Sequence, residues 1–278
     1  MSARLAVIIV NFNAIEWLQR CLRTVYAQDI ANELEVVVVD CASTDDSVAF
    51  VRREYPTCTL VASDENLGFG RGNNMGAEQS SAPILLFLNP DTEVEPGSLA
   101  ELLGFMEEHP EYGAAGGRIY DGDGELERSA GTWPTVFSLI LDRLLARWPI
   151  FRSLLEHRAH HYWNYGEWRE VGWVTGAYLW VRRDAFERIL GFDRDVFMYY
   201  EDVDLCYRIR EIGLRICFFP GAAITHYRNK SPVGDKKRKR IMYRGLHHFT
   251  RKHYSWRCKG LTLLVVYLLE KNFPQYCR

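Results

Sequence analysis

Three continuous apolar runs constrain the fold of this chain more than any other feature. Leu5 to Val10 reads L-A-V-I-I-V, residues 34–40 read L-E-V-V-V-V-D, and Ile84 to Leu88 reads I-L-L-F-L. These runs do not alternate apolar with polar residues, so each predicts a strand covered on both faces. After the first, Trp17, Leu18, Cys21, Leu22 and Val25 recur at helical spacing. A second helix is predicted near Asp45 to Glu54, a short strand at 59–61, a helix over Leu99 to Glu108, and an extended stretch from Ala114 to Tyr120. Strands alternating with helices predict right-handed βαβ units and a mainly parallel sheet. In such sheets, functional groups gather at the carboxyl ends of the strands. Asn11, Asp40 and Asp91 all fall there. Further on, helices are expected at Ala177 to Leu190 and Val203 to Ile212, and a strand at 216–220 that leads to His226.

The bulk numbers narrow the class. With 278 residues, 47% apolar and 25% charged, the chain has the composition of a soluble globular protein. No segment approaches the roughly 18 apolar residues of a membrane span; the longest run, Leu261 to Leu269, is about half of that, and the Met1 end has no secretory pattern. The seven cysteines form no C-x-x-C pair. Cys21, Cys206 and Cys217 lie among apolar neighbours, which predicts reduced core residues in a cytoplasmic protein. The net charge of −2 hides an asymmetry: Tyr227 to Arg278 holds fourteen Lys/Arg against Asp235 and Glu270, so this tail carries +12 and the remainder −14. Such a tail suits an anionic partner, either a membrane surface or a phosphorylated acceptor; the alternative is a basic helix packed on the acidic body. Nucleic acid is not expected, because no recognition module accompanies the charge.

Several short stretches can carry chemistry. Asp40 ends a strand and precedes Ser43, Thr44, Asp45 and Asp46, which suit helix capping. Asp40 is thus free to bond a ligand such as a nucleobase imide. Residues 66–76, N-L-G-F-G-R-G-N-N-M-G, contain G-x-G-x-G but follow the third strand instead of the first, so they are not a dinucleotide fingerprint. They predict a loop whose glycines allow tight turns and close backbone approach to a ligand. In Asn89-Pro90-Asp91, Pro90 biases Asn89 toward extended backbone and fixes Asp91 at the strand end. One such carboxylate is enough for a hard divalent cation whose other ligands are water and phosphate. Glu201, Asp202 and Asp204 lie before and within the first turn of a helix. Favourable charge at a helix N-terminus is the plain reading, but three acids exceed that need. One of them, in a cleft lined by Phe197, Tyr199 and Tyr200, suits a general base. His226 falls just beyond a strand and gains meaning only if it meets Asp91. Residues 121–170 are irregular and rich in Trp, Arg and His, with an amphipathic helix expected over Val136 to Trp148.

Together these stretches resemble glycosyltransferase family 2, and within it the rhamnosyltransferase-like bacterial branch. The resemblance rests on I-I-V-N-F-N (8–13), V-V-D-C-A-S-T-D (38–45), N-L-G-F-G-R-G-N-N (66–74), L-N-P-D-T (88–92) and W-V-T-G-A (173–177). It continues through R-R-D-A-F (182–186), G-F-D (191–193), Y-E-D-V-D-L-C-Y-R (200–208) and H-Y-R-N-K-S (226–231), and so spans about residues 4 to 231. Even R-G-L-H-H-F-T-R-K-H-Y (244–254) is similar to that branch. The resemblance implies an inverting enzyme with a GT-A fold, a Rossmann-like sheet flanked by helices. Residues 1–231 would form the catalytic domain, with a nucleotide-sugar half (1–120) and an acceptor half (121–231); 232–278 would be a basic helical extension.

The roles it implies are specific. Asp40 contacts the base, Asn11 lies beside the nucleotide, and Asn66, Gly68, Arg71 and Asn74 line base and ribose. Asn89 stands where the first Asp of a D-x-D motif would be, within the donor site. Asp91 binds Mg2+ or Mn2+, and His226 helps close the metal and diphosphate site. Asp202 is the catalytic base, and Trp173, Gly176, Ala177 and Glu201 line the acceptor or donor-sugar pocket. The donor implied is a dTDP- or UDP-sugar, with dTDP-L-rhamnose preferred. The acceptor is a glycan or lipid-linked glycan, and the setting is cytoplasmic, with docking on the inner membrane face. A same-fold enzyme moving another sugar, such as galactofuranose, and a non-catalytic sugar-nucleotide-binding subunit are the alternatives.

Overall fold

The computed structural model describes residues 3–133, 165–228, 235–254 and Gly260, without the side chains of 235–239. The stretches Val136 to Trp148 and Leu261 to Leu269, and the side chains of Lys236 to Lys239, lie outside the described residues. In chain order the strands are β1 (Leu5–Asn11), β2 (Leu34–Cys41), β3 (Thr59–Ser63), β4 (Ile84–Leu88), β5 (Thr92–Val94) and β6 (Tyr112–Tyr120). Then follow β7 (Leu126–Glu127), β8 (Ala130–Gly131), β9 (Arg169–Glu170), β10 (Trp173–Val174), β11 (Tyr178–Arg182) and β12 (Arg215–His226). The helices are α1 (Ile15–Tyr26), α2 (Ser47–Glu54), α3 (Gly68–Ala77), α4 (Ser98–Glu108), α5 (Arg183–Arg188), α6 (Glu201–Glu211) and α7 (Asp235–His253).

The apolar runs become the centre of one ten-stranded sheet with the path β3-β2-β1-β4-β11-β6-β12-β5. β3, β2, β1 and β4 are mutually parallel, and β12 is parallel to β6. Only β11 and β5 run against their neighbours on this path. Leu5, Val7 and Ile9 face one core with α1 and α4, while Ala6 and Ile8 face the other. That two-sided burial is why the runs do not alternate. The parallel register sets Asn11 opposite Asp40 at the strand ends. Cys21, Cys206 and Cys217 are free and buried, and burial pushes each thiol up to about 12.

Two expectations are corrected. The helix expected from Ala177 begins instead as the strand β11, and only Arg183–Arg188 is helical. Y-L-W-V-R lies between β4 and β6 with Tyr178, Leu179, Trp180 and Val181 buried, so sheet pairing overrides the local pattern. The Gly/Asn-rich loop is also a helix, α3, and its glycines serve packing. A Cβ on Gly72 would lie 2.9 Å from Val10 Cγ1, and one on Gly76 would lie 2.5 Å from Ile8 Cγ2. The helix therefore rides closer to the sheet than side chains would allow. Gly68, at φ +73°, has its close approach to the Phe197 carbonyl, 2.6 Å from where its Cβ would stand.

The described part of the basic tail packs on the body. Leu246 and Phe249 of α7 are buried, and a Cβ on Gly245 would fall 2.2 Å from the Tyr199 carbonyl oxygen. α7 thus rests on the two residues that lead into α6.

Candidate active site

Three clusters meet at the carboxyl end of the sheet. In the first, Asn11 Nδ2 donates to Asp40 Oδ2 at 2.8 Å and to Ser43 Oγ at 3.2 Å, while the Ser43 amide donates to Asp40 Oδ1 at 2.9 Å. Asn13, at φ 50°, closes the same turn: its amide donates to Ser43 Oγ at 2.9 Å, and its Oδ1 accepts from the Thr44 amide at 2.7 Å. Asn11 Oδ1 is buried and has no hydrogen-bond partner among the described residues. Asp45 caps as expected, accepting from the Ile15 and Ser47 amides at 3.0 and 3.1 Å.

The second cluster forms where β4 ends. Thr92 Oγ1 donates to the Asn89 carbonyl at 2.7 Å, and the Tyr227 amide donates to the Asp91 carbonyl at 2.9 Å. β12 pairs with β5 so that His226 opposes Thr92. This register brings His226 Nε2 to 3.2 Å from Asp91 Oδ1 and 3.3 Å from Asn89 Nδ2. The condition that gives His226 meaning, its convergence with Asp91, is met. Both side chains are mostly covered, 13% and 15% exposed.

The third cluster is the start of α6. Tyr199 and Tyr200 both take left-handed backbone, φ 66° and 70°, and turn the chain into Glu201. Asp202 Oδ2 accepts from the Gly176 amide at 2.9 Å and its Oδ1 from the Val203 amide at 2.8 Å. The next residue along from Gly176 closes the circuit, because the Asn89 amide donates to the Ala177 carbonyl at 3.2 Å. One short turn, Gly176-Ala177, therefore holds the Asp91 loop on one side and Asp202 on the other.

Comparison with known proteins is decisive at this point. Residues 6–190 match the family model for glycosyl transferase family 2. The chain belongs to glycosyl transferase family 2. It is similar to the N-acetylglucosaminyl-diphospho-decaprenol L-rhamnosyltransferase of Mycobacterium tuberculosis, at 30% identity over 249 residues, covering 84% of this chain and 80% of the relative. A 57-residue stretch is 42% identical to rhamnosyltransferase WbbL of Escherichia coli, covering 20% of this chain and 22% of that one. Among solved structures, the mannosyltransferase PcManGT from Pyrobaculum calidifontis, in complex with GDP-Man and Mn2+, aligns with TM-score 0.64 at 21% identity, over 96% of this chain and 70% of that one. The GT-A fold expected from the motifs is the fold observed.

In this glycosyltransferase the acids of α6 differ sharply. Burial raises the Glu201 carboxyl well above the ordinary range, and the charges of Asp202 and Asp204 push it further. Burial also raises Asp202, but backbone N–H groups oppose the rise. Glu201 Oε2 is buried and unpartnered among the described residues, whereas both oxygens of Asp202 accept backbone N–H groups. Asp204 is lowered: burial works against its charge, and His253, Arg208 and Lys252 outweigh it.

Not every expected residue reaches the site. Asn74 Oδ1 accepts from the Phe192 amide at 2.8 Å and its Nδ2 donates to the Phe192 carbonyl at 2.9 Å, so its amide clamps a distant loop. Asn66 Oδ1 accepts from the Gly68 amide at 3.0 Å, and Arg71 pairs with Glu65 at 2.8 Å on the surface. Trp173 Nε1 donates to the Thr132 carbonyl at 2.8 Å, which ties β10 to the end of β8. Gly176 has no room for a side chain, since a Cβ would meet the Phe69 ring at 3.0 Å. The sequence reading missed the brace from α7. Asp204 Oδ1 lies 2.7 Å from His253 Nε2 and 2.8 Å from Lys252 Nζ, and Asp193 Oδ2 lies 3.0 Å from His248 Nε2 and 2.5 Å from Lys252 Nζ. The only signal was the charge asymmetry of the tail, which does not say which acids His248, Lys252 and His253 meet.

Proposed function

We propose that this glycosyltransferase moves L-rhamnose from dTDP-L-rhamnose, with inversion, to a hydroxyl of a lipid-diphosphate-linked glycan in bacterial cell-surface polysaccharide synthesis. The observation that carries the reading is the Gly176-Ala177 turn, which ties the Asp91–His226 pair and Asp202 together. The named activity of the mycobacterial relative supports the sugar and the acceptor class.

Asp202 acts as the base. Its carboxylate takes the proton of the acceptor hydroxyl while that oxygen bonds to the anomeric carbon. The bond from that carbon to the diphosphate breaks on the opposite face, and its electron pair leaves with dTDP. One displacement inverts the centre. Glu201 stays neutral beside it, so the charge on Asp202 has no anionic competitor for the proton. At the strand ends, Asn11 Oδ1 offers its free acceptor and Asp40 its carboxylate to the N–H of a pyrimidine imide.

The residues fit a divalent metal. Asp91 and His226 supply one carboxylate and one imidazole, and no group of three or more His, Cys, Asp or Glu among the described residues suits a metal ion. Such a pair suits a hard cation that keeps water and diphosphate oxygens as its other ligands. Mg2+ or Mn2+ held by Asp91 and His226 would stabilise the charge that develops on the leaving diphosphate. Metal and nucleotide binding are then mutually dependent. No helix among the described residues is long and apolar enough to cross a membrane; a cytoplasmic enzyme docked on the inner membrane face through its basic tail is part of the same reading.

Thermal unfolding with dTDP, UDP, GDP and NAD, each with and without Mn2+ or Mg2+, tests it. A nucleotide at 100 times its dissociation constant adds about 2.7 kcal/mol. The expected result is a metal-dependent rise with dTDP. No rise with any pyrimidine diphosphate would overturn the reading.

A further inference from the structure

On α7, Arg244, His247, His248, Arg251 and Lys252 share one face and, with Asp195, line an open cavity of about 500 Å3. The opposite face, with Tyr243, Leu246 and Phe249, is buried in the body. The cationic residues divide into two sets. His248 and Lys252 are held by Asp193, and Lys252 also by Asp204. Arg244, His247 and Arg251 take no ion-pair or hydrogen-bond partner among the described residues. The first set fixes the wall of the cavity, and the second adds two permanent positive charges to a lining whose one acid is Asp195.

Two further observations define what would fill it. The loop that carries Asp193 and Asp195 also exposes Leu190, Phe197 and Met198, which are 86%, 49% and 37% exposed. Half of the six exposed large apolar side chains of the described residues thus sit on this one loop. In addition, Gly245, next to Arg244, packs on the Tyr199 carbonyl, and Tyr199-Tyr200 runs directly into Glu201 and Asp202. The cavity therefore lies on the outer face of the helix whose inner face packs on the turn into Glu201 and Asp202, and the loop that supplies Asp195 to its wall also carries exposed apolar side chains.

We propose that this cavity holds the diphosphate of the lipid-linked acceptor, with Arg244 and Arg251 gripping the two phosphates and Leu190, Phe197 and Met198 carrying the start of the lipid chain. Planar guanidiniums match phosphate oxygens in two-point contacts. Arg244 and Arg251 are separated by about 10 Å along the helix axis, a span that two long side chains can close around a diphosphate, whose two phosphates offer each guanidinium its own set of oxygens. The glycan then extends from the diphosphate past Tyr199-Tyr200 toward Asp202. The assignment rests on the transferase reading above, but its first test does not.

Binding of farnesyl diphosphate to the whole chain is measured by calorimetry for the wild type and for Arg244→Gln/Arg251→Gln, beside farnesol, inorganic pyrophosphate, phosphatidylglycerol vesicles and dTDP with Mn2+. Each exposed guanidinium–phosphate contact contributes about tenfold in affinity, so the double variant is expected to bind farnesyl diphosphate about a hundredfold more weakly. Farnesol binds weakly to both proteins, and pyrophosphate falls between. Both arginines are exposed, so the melting temperature and dTDP–Mn2+ affinity are expected to stay unchanged. With a diphosphate-linked glycolipid the variant should show a raised KM and an unchanged kcat. Equal farnesyl diphosphate affinity in both proteins would overturn the proposal, as would its displacement by dTDP–Mn2+. Loss of vesicle binding alone would also overturn it and give the patch to the bilayer. Farnesyl diphosphate binding that depends on both arginines, in a protein that binds no nucleotide, would instead keep the site and sink the transferase reading.

Discussion

The first turn of α6 has two faces, and they treat the same carboxylate in opposite ways. Asp202 and Asp204 are both pressed by burial toward neutrality. Among the described residues Asp202 meets backbone N–H donors, from Gly176 and Val203, and its carboxyl stays raised. Asp204, 1% exposed, meets Arg208 at 2.7 Å together with His253 and Lys252 from α7, and it is lowered. E-D-V-D offers no local reason for this split. The difference teaches how one helix turn can withhold cations from one acid and place them on its neighbour. A carboxylate held by Arg208, Lys252 and His253 takes a proton poorly, whereas a raised one suits the proposed base.

The largest effect tests the first face. Asp202→Asn removes the proposed proton acceptor and keeps the shape, so kcat should fall by about 10²–10⁴, while dTDP–Mn2+ binding, measured by calorimetry, stays near wild type. The pH profile carries the sign. Asp202 must be ionised to act, and its raised pKa places the acid limb of kcat/KM above the ordinary aspartate value of about 3.9. Activity is lost as pH falls through that limb. A limb at or below the ordinary value would break the comparison, because both faces would then hold their charge equally.

The second face should answer in stability. Asp204→Asn strands Arg208 and Lys252, with His253 beside them, around a neutral amide. Breaking a buried pair from one side costs about 3 kcal/mol, readable as a lower urea midpoint. The sign again follows from the shift: Asp204 is lowered in the folded state, so its contribution is present above the unfolded value of 3.8 and lost as pH falls through the folded one. The variant and the wild type should therefore converge in stability at strongly acid pH. A variant that keeps its stability but loses kcat as steeply as Asp202→Asn would exchange the roles of the two faces.

How much of this was legible follows from where each residue's partner lies. The buried strands and their polar ends are local facts of the apolar runs, and the Asn11–Asp40 pairing follows once β1 and β2 are parallel neighbours. The motifs also carried Asp91, His226 and Asp202 to one end of the sheet through their resemblance to a family. What failed was set by distant partners. Residues 178–182 read as helix until β4 and β6 enclose them, and the glycines of α3 read as a loop until Ile8 and Val10 occupy the space of their side chains. Asn74 reads as a ligand contact until Phe192, 118 residues away, takes its amide. The α7 brace joins residues 49 and 59 apart, beyond the reach of any local pattern. Charge asymmetry announced that the tail needs an anion, but not that Asp193 and Asp204 are among the anions it meets.

Glu201 gives the smallest expected effect and the finest discrimination. It lies between the two faces, 6% exposed, and burial and then the charge of Asp202 raise it. A carboxyl raised in the folded state favours folding below its unfolded value of 4.5, and that contribution is lost as pH rises through the folded value. Glu201→Gln mimics the protonated form at every pH, so it should stabilise the protein at neutral pH. Relieving such a site is typically worth about 0.5–2 kcal/mol, and the gain should vanish below pH 4.5. Because Glu201 is neutral in both proteins, the acid limb of kcat/KM should superimpose. A destabilised variant at neutral pH, with its limb moved downward, would mean that Glu201 is the charged member. The proton would then sit on Asp202, and the base would have to be sought on the other side of the pair.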